Sequence, residues 1–181
     1  MQPATRRTIT RCYVLLLALI AIAMLPASAA AAVNTYLTLS GISGPSTSKA
    51  GAIDLLSFSV SATAPGTSTG TEQATLPSCQ VAVTKVLDAA SPQLWSAAVI
   101  GQHFPTIDIE VVAPLGGQPT QVYKIELKDA YFTKIATSGT ADTPTETVTI
   151  KASKVSMAFN PLTPTGTIGT TVSVAFTCNV I

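Results

Sequence analysis

Arginine is missing from most of this chain. Arg6, Arg7 and Arg11 are the last of it, and the rest carries seven lysines against nine carboxylates. Phosphate backbones are gripped by clustered Lys and Arg, so this balance excludes a nucleic-acid-binding protein. Charge of either sign is scarce, at 10% of residues, which leaves Thr and Ser to make most of the polar surface. There is one histidine, His103, and one tryptophan, Trp95. A lone histidine supplies neither a serine triad nor a zinc cluster without partners from elsewhere in the fold. At 181 residues the chain has room for one domain and not comfortably for two.

Much of the apolar content sits at the start. A basic opening is followed by an apolar run from Val14 to Leu25, then Pro26 and Ala27-Ser28-Ala29, a small-x-small cleavage pattern. Residues 1–29 are therefore expected to be a secretory signal peptide, leaving residues 30–181 as a single domain. The run is shorter than the ~20 residues of a bilayer span, which disfavours the alternative of an uncleaved anchor. Thr5-Arg6-Arg7-Thr8-Ile9 offers a twin-arginine route beside the general one. Cys12 precedes the apolar run, so it is not placed as a lipoprotein cysteine. The expected destination is the periplasm or the medium.

Cys79 and Cys178 remain after cleavage. An even pair in an exported chain is most simply a disulfide. A metal pair or two free thiols are the other readings, but two isolated cysteines lack the further ligands of a zinc site.

Alternating patterns predict strands at Asn34–Ser40, Ala52–Ala62, Cys79–Leu87, Thr106–Val112, Gln121–Ile135, Glu146–Phe159 and Thr170–Val180. In the second of these Leu56, Phe58 and Val60 share a face. Ser91 as N-cap, Pro92 at the first helical position and Gly101 as left-handed stop bracket one helix over residues 92–100. Leu94, Trp95, Ala98 and Val99 would form its buried stripe. Leu115-Gly116-Gly117-Gln118-Pro119 predicts a hairpin turn, not a phosphate loop, because no helix start follows it. Between Ala152 and Val155 the apolar parity changes, which predicts a bulge or sharp bend near Ser153-Lys154. Residues 63–77 read as a polar loop, whose Thr63–Thr75 part could also meet a partner. The fold class is all-β with one short helix: a compact β-barrel or sandwich plugged on one side.

Three segments carry a family resemblance. Tyr36-Leu37-x-Leu39-x-Gly41-Ile42-x-Gly44 resembles the opening of the hemolysin-coregulated protein (Hcp) family, the tube proteins of type VI secretion systems. Thr84-Lys85, Asp88, Ser91-Pro92, Leu94, Gly101 and His103 are similar to its strand-to-helix segment. Pro144-Thr145-Glu146-x-Val148-x-Ile150 and Lys154-Val155 are similar to a late strand with the same parity change. The resemblance covers about Tyr36 to Pro161. It implies a barrel with a lateral helix, subunits that form hexameric rings stacking into a tube, effectors as partners, and no bond-making chemistry or cofactor. Tube-building members need no signal peptide. Here one is expected, with the cysteine pair and an added C-terminal strand at about residues 165–181 that could cover an edge ring neighbours would use.

Candidate chemistry is sparse. Asp108 and Glu110 share a strand face, as a carboxylate pair for glycoside hydrolysis could, but that face is expected to meet water. Asp54, Asp129 and Asp142 show no calcium-loop spacing. Trp95 could stack a ligand, though its helix stripe assigns it to the core. No nucleophile, base and orienting group assemble, so the expectation is a non-enzymatic structural or interaction protein. The alternative is a monomeric secreted binding or effector module, with a secreted hydrolase as a more distant third.

Overall fold

The computed structural model describes residues 32–64, 76–139, 143–163 and 167–179. The leader assigned to residues 1–29, Cys12, residues 65–75 of the polar loop and Asp142 lie outside the described residues.

The strands are β1 (Asn34–Leu39), β2 (Ile53–Leu55), β3 (Ser57–Thr63) and β4 (Ser78–Val86), then helix α1 (Ser91–Ile100), then β5 (His103–Leu115), β6 (Gln118–Ser138), β7 (Thr145–Phe159) and β8 (Val172–Thr177). All pair antiparallel in the order β2-β1-β5-β6-β7-β4-β3, with β8 added to β7. β2 and β3 are one segment interrupted at Leu56, whose N–H donates to the Thr84 carbonyl at 2.8 Å. The two ends of the strand order are thus neighbours in the chain, and the sheet curls into a barrel. A continuous strand over Ala52–Ala62 was expected. The barrel corner breaks it, and Leu56 turns outward instead of joining Phe58 and Val60.

Leu37, Ile53, Val81, Val83, Ile107, Ile109, Ile125, Leu127, Val148 and Ile150 fill the interior, with Phe104 packed on Phe132 at 5.0 Å between ring centroids. These are the alternate residues of each strand, as a half-buried pleat requires. Gly116 and Gly117 both have positive φ, the conformation a two-residue hairpin turn demands. The strands run through both flanking prolines, so Pro114 faces Pro119.

The parity change in β7 lies where the pattern placed it, but the register does not slip there. Leu127 faces Val155 and Ala130 faces Ala152 on one unbroken count. β6 switches faces at the same point, through Asp129 at φ 49°, so the two strands bend together. True register shifts fall between Phe132 and Lys134 and between Val111 and Val112.

Gly44 has a steric role. Its amide donates to the Gly51 carbonyl at 3.0 Å, and a Cβ there would lie 2.1 Å from the Ala52 carbonyl oxygen. Backbone on both sides cannot yield cheaply, so Gly44→Ala is expected to cost about 1–3 kcal/mol, read as a lowered urea midpoint with an unchanged slope.

Candidate assembly surfaces

Helix α1 begins one residue earlier than its sequence signals suggest. Ala90, not Ser91, holds the N-cap position, without a side-chain cap bond. The Ser91 hydroxyl turns back instead, accepting from the Asp88 amide at 3.1 Å and from Lys85 Nζ at 2.9 Å. Asp88 accepts the Ala90 amide at 2.8 Å, fixing the entry to the helix. Gly101, at φ 64°, ends it. The buried side is Ser91, Leu94 and Ala97, so the stripe is rotated away from the expected one. Trp95 is 40% exposed and is not a core residue.

Lys85 and Glu146 are fully buried and face each other across β4 and β7. Lys85 Nζ donates to the Val86 carbonyl at 2.8 Å and to Ser91, and lies 2.9 Å from Asp88 and 3.5 Å from Glu146. Among the described residues the Glu146 oxygens have no hydrogen-bond partner, so the Lys85 charge is what compensates them. The sequence shows both segments and does not join them. The available signal was parity: Lys85 follows Val81 and Val83, and Glu146 precedes Val148 and Ile150, each charge standing where its strand faces the core.

The hydrolase candidates do not meet. His103 is largely exposed at the start of β5, 3.1 Å from Asp129 and stacked on Tyr131. Asp108 pairs with Lys124 at 3.0 Å, and Glu110 pairs with Lys49. Asp54 accepts from the Ser46 hydroxyl at 2.7 Å. No three His, Cys, Asp or Glu side chains converge as metal ligands among the described residues.

What the barrel offers is surface. Its outer polar face carries a ladder over β5 and β6: Asp108, Lys124, Glu126 and Lys128, the last pair 3.0 Å apart. Beside it, Ser156 and Ala158 of β7 with Ser173 and Ala175 of β8 are small and leave an open depression of about 290 Å³. Partial burial works against the Lys124 charge, but its hydrogen bond to Asp108 and the charges of Asp108, Glu110 and Glu126 outweigh that and raise its pKa above 10.5. The hydrogen bond from Lys128, opposed by slight burial and helped by Lys128, Lys124 and Lys154, holds Glu126 below 4.5. Glu126 therefore contributes fully above its ordinary value and loses that contribution as pH falls through its folded one. Lys124 contributes fully below 10.5 and loses it as pH rises through its folded value. Urea midpoints are expected to stay level on this account between those limits, and Lys124→Met is expected to lower the unfolding free energy by less than about 1 kcal/mol, less still in high salt.

Phe159, Val172 and Val174 stand exposed at the end of β7 and on β8, and Trp95, Val99 and Ile100 stand exposed on α1. Cys79 and Cys178 form a disulfide, with Cα atoms 5.6 Å apart. β4 pairs with Thr145–Ile150 of β7 and β8 with Lys154–Phe159 of the same strand. The two therefore lie end to end along β7, and the disulfide, with the Asn179 amide donating to the Pro77 carbonyl at 2.8 Å, staples their junction.

A family model described as "Type VI secretion system effector, Hcp" matches residues 36–159. A solved type six secretion system protein shares 27% identity over 78% of this chain and 92% of its own, with a TM-score of 0.67. Hcp1 from Salmonella typhimurium matches at 20% identity and TM-score 0.66, covering 81% and 95%. The secreted protein Hcp3 from Pseudomonas aeruginosa matches at 19% and 0.56, covering 80% and 99%. No curated protein is significantly similar to the chain.

Proposed function

The chain belongs to the Hcp family of type VI secretion, and on that premise we propose that it is an exported, self-associating barrel whose copies assemble laterally into hexameric rings. It is a structural protein and not an enzyme. The observation that carries the ring reading is the family fold, present from β1 to β7, together with large apolar side chains left uncovered on one subunit. Trp95, Val99 and Ile100 on α1 and Phe159, Val172 and Val174 at the end of the sheet are exposed apolar side chains that contact between copies would cover. Their partners on this reading are other copies, and effectors carried with them.

Export is supported by the leader pattern of residues 1–29 and by the buried Cys79–Cys178 bond, which belongs to an oxidising compartment. One observation favours a second reading, a monomeric secreted module: β8 lies beyond the family-matched residues and covers part of β7 that would otherwise be an open edge. Particle images of the purified oxidised protein separate the two. Annular particles are expected, and their replacement by Trp95→Glu and Val99→Glu with small featureless particles would tie assembly to α1. A field of single barrels in the wild type supports the monomeric module instead.

A further inference from the structure

β8 is weakly held for a strand. Its residues are exposed save for a half-buried Phe176, and Val172 and Val174 show 66% and 55% of their surface. Ordering a strand loses backbone entropy at every residue. Backbone hydrogen bonds return only a modest net gain, and here little apolar burial is added to it. The Cys79–Cys178 bond is therefore the covalent tie at its end, beside the Cys178 amide donating to the Ser153 carbonyl and the Asn179 amide to the Pro77 carbonyl, each at 2.8 Å.

The seat under β8 is well formed. Lys154–Phe159 pairs with β6 on its other side from Tyr123 to Lys128, so it stays a strand when β8 leaves. Val155, Met157 and Phe159 face Phe176, Val174 and Val172, an apolar row matched to an apolar row. Neither proline nor charge guards β8 itself. Asn160 anchors the exit from β7, its amide donating to the Val122 carbonyl and its side chain to the Gln121 carbonyl, each at 2.9 Å. The Thr171 hydroxyl donates to the Asn160 side-chain oxygen at 2.7 Å, so β8 starts beside this anchor and the exchange needs that bond to open as well.

We infer that the Lys154–Phe159 edge of β7 is an interface for a second copy of this chain, which inserts its own β8 there and can be locked by a disulfide from Cys79 of one copy to Cys178 of the other. The occupant follows from the register: the strand that complements this edge is β8, and an exchanged β8 makes the same pairs as a resident one. This goes beyond ring assembly, which can proceed through other surfaces with every β8 at home.

Exchange requires the resident bond to open. A dithiol reductant attacks one sulfur, forms a mixed disulfide and closes on itself, leaving two protein thiols and an oxidised reductant. Glutathione disulfide then takes two electrons and two protons as two glutathione thiols, and the protein bond re-forms within or between chains.

The test uses two variants of the purified protein, Cys79→Ser and Cys178→Ser, mixed, reduced, and reoxidised with glutathione disulfide. Neither can close the bond alone. The expected result is a linked pair on a non-reducing denaturing gel, with peptide mapping placing the link between Cys79 of one chain and Cys178 of the other. Its yield rises with protein concentration. Phe176→Pro, placed in the Cys178→Ser chain, leaves that link intact; placed in the Cys79→Ser chain, whose β8 must insert, it abolishes the link. Should the single variants not fold, wild type reoxidised at rising concentration gives the same reading, with mapped Cys79–Cys178 links between isotopically distinct chains expected to increase. Absence of such links, or links indifferent to Phe176→Pro in the inserting strand, overturns the inference. Ring assembly is read separately, from native particles of the oxidised wild type.

Discussion

Opening the Cys79–Cys178 bond lowers the stability of the barrel by as much as about 4–5 kcal/mol. That is the chain-entropy value for releasing a loop of roughly a hundred residues from the unfolded state, and the separation here is 99. It is a ceiling, because a freed β8 regains motion in the folded state and part of the difference is returned. Since 1 kcal/mol moves the melting point of a domain this size by about 2–4 °C, Cys178→Ser is expected to melt about 10–15 °C below wild type. Wild type in reductant should melt with it. A variant that melts with wild type would mean the junction of β4 and β8 holds without its covalent staple.

The second large effect lies at the other end of β4. Replacing Lys85 with methionine keeps the volume and removes the charge that compensates Glu146 and Asp88. Breaking a buried ion pair from one side costs about 3–5 kcal/mol, because the remaining charge is left stranded. The expected result is a marked loss of urea midpoint. Lys85→Met with Glu146→Leu recovers much of it, since replacing both partners by apolar groups removes the stranded charge. A double variant as unstable as the single one would show that Lys85 acts through Ser91 and the Val86 carbonyl and that Glu146 is incidental. The two segments that resemble the family, Thr84-Lys85 with Asp88 and Ser91, and Pro144-Thr145-Glu146, form one connection between strand, helix entry and neighbouring strand.

The elements visible in sequence were those governed by local alternation. Strands over Tyr36, Val81, Ile107, Ile125 and Val148 declare themselves because each needs only one apolar face. Gly101 and the glycine pair at 116–117 are legible because only a few residues tolerate positive φ. Even the bend at Ser153-Lys154 shows in the parity of β7, although parity in one strand cannot reveal that Asp129 makes its partner bend in step. What escaped depends on the third dimension. Leu56 looks inward on a straight strand and is turned out by the barrel corner. Ser91 has the chemistry of a cap, but the buried ammonium of Lys85 competes for its hydroxyl. Trp95 fits an apolar stripe at helical spacing, yet which side of α1 meets the barrel is set by Leu94 and Ala97. The assembly surfaces were the least legible, because Phe159, Val172 and Val174 carry an ordinary core pattern and yet stand exposed.

Contact between copies, without a reacting group, is the mode of action proposed for this barrel. Native mass of the purified oxidised protein over a concentration series tests that most directly. The prediction is a dominant species of six copies that persists on dilution into the micromolar range. A single-copy mass at every concentration would contradict it.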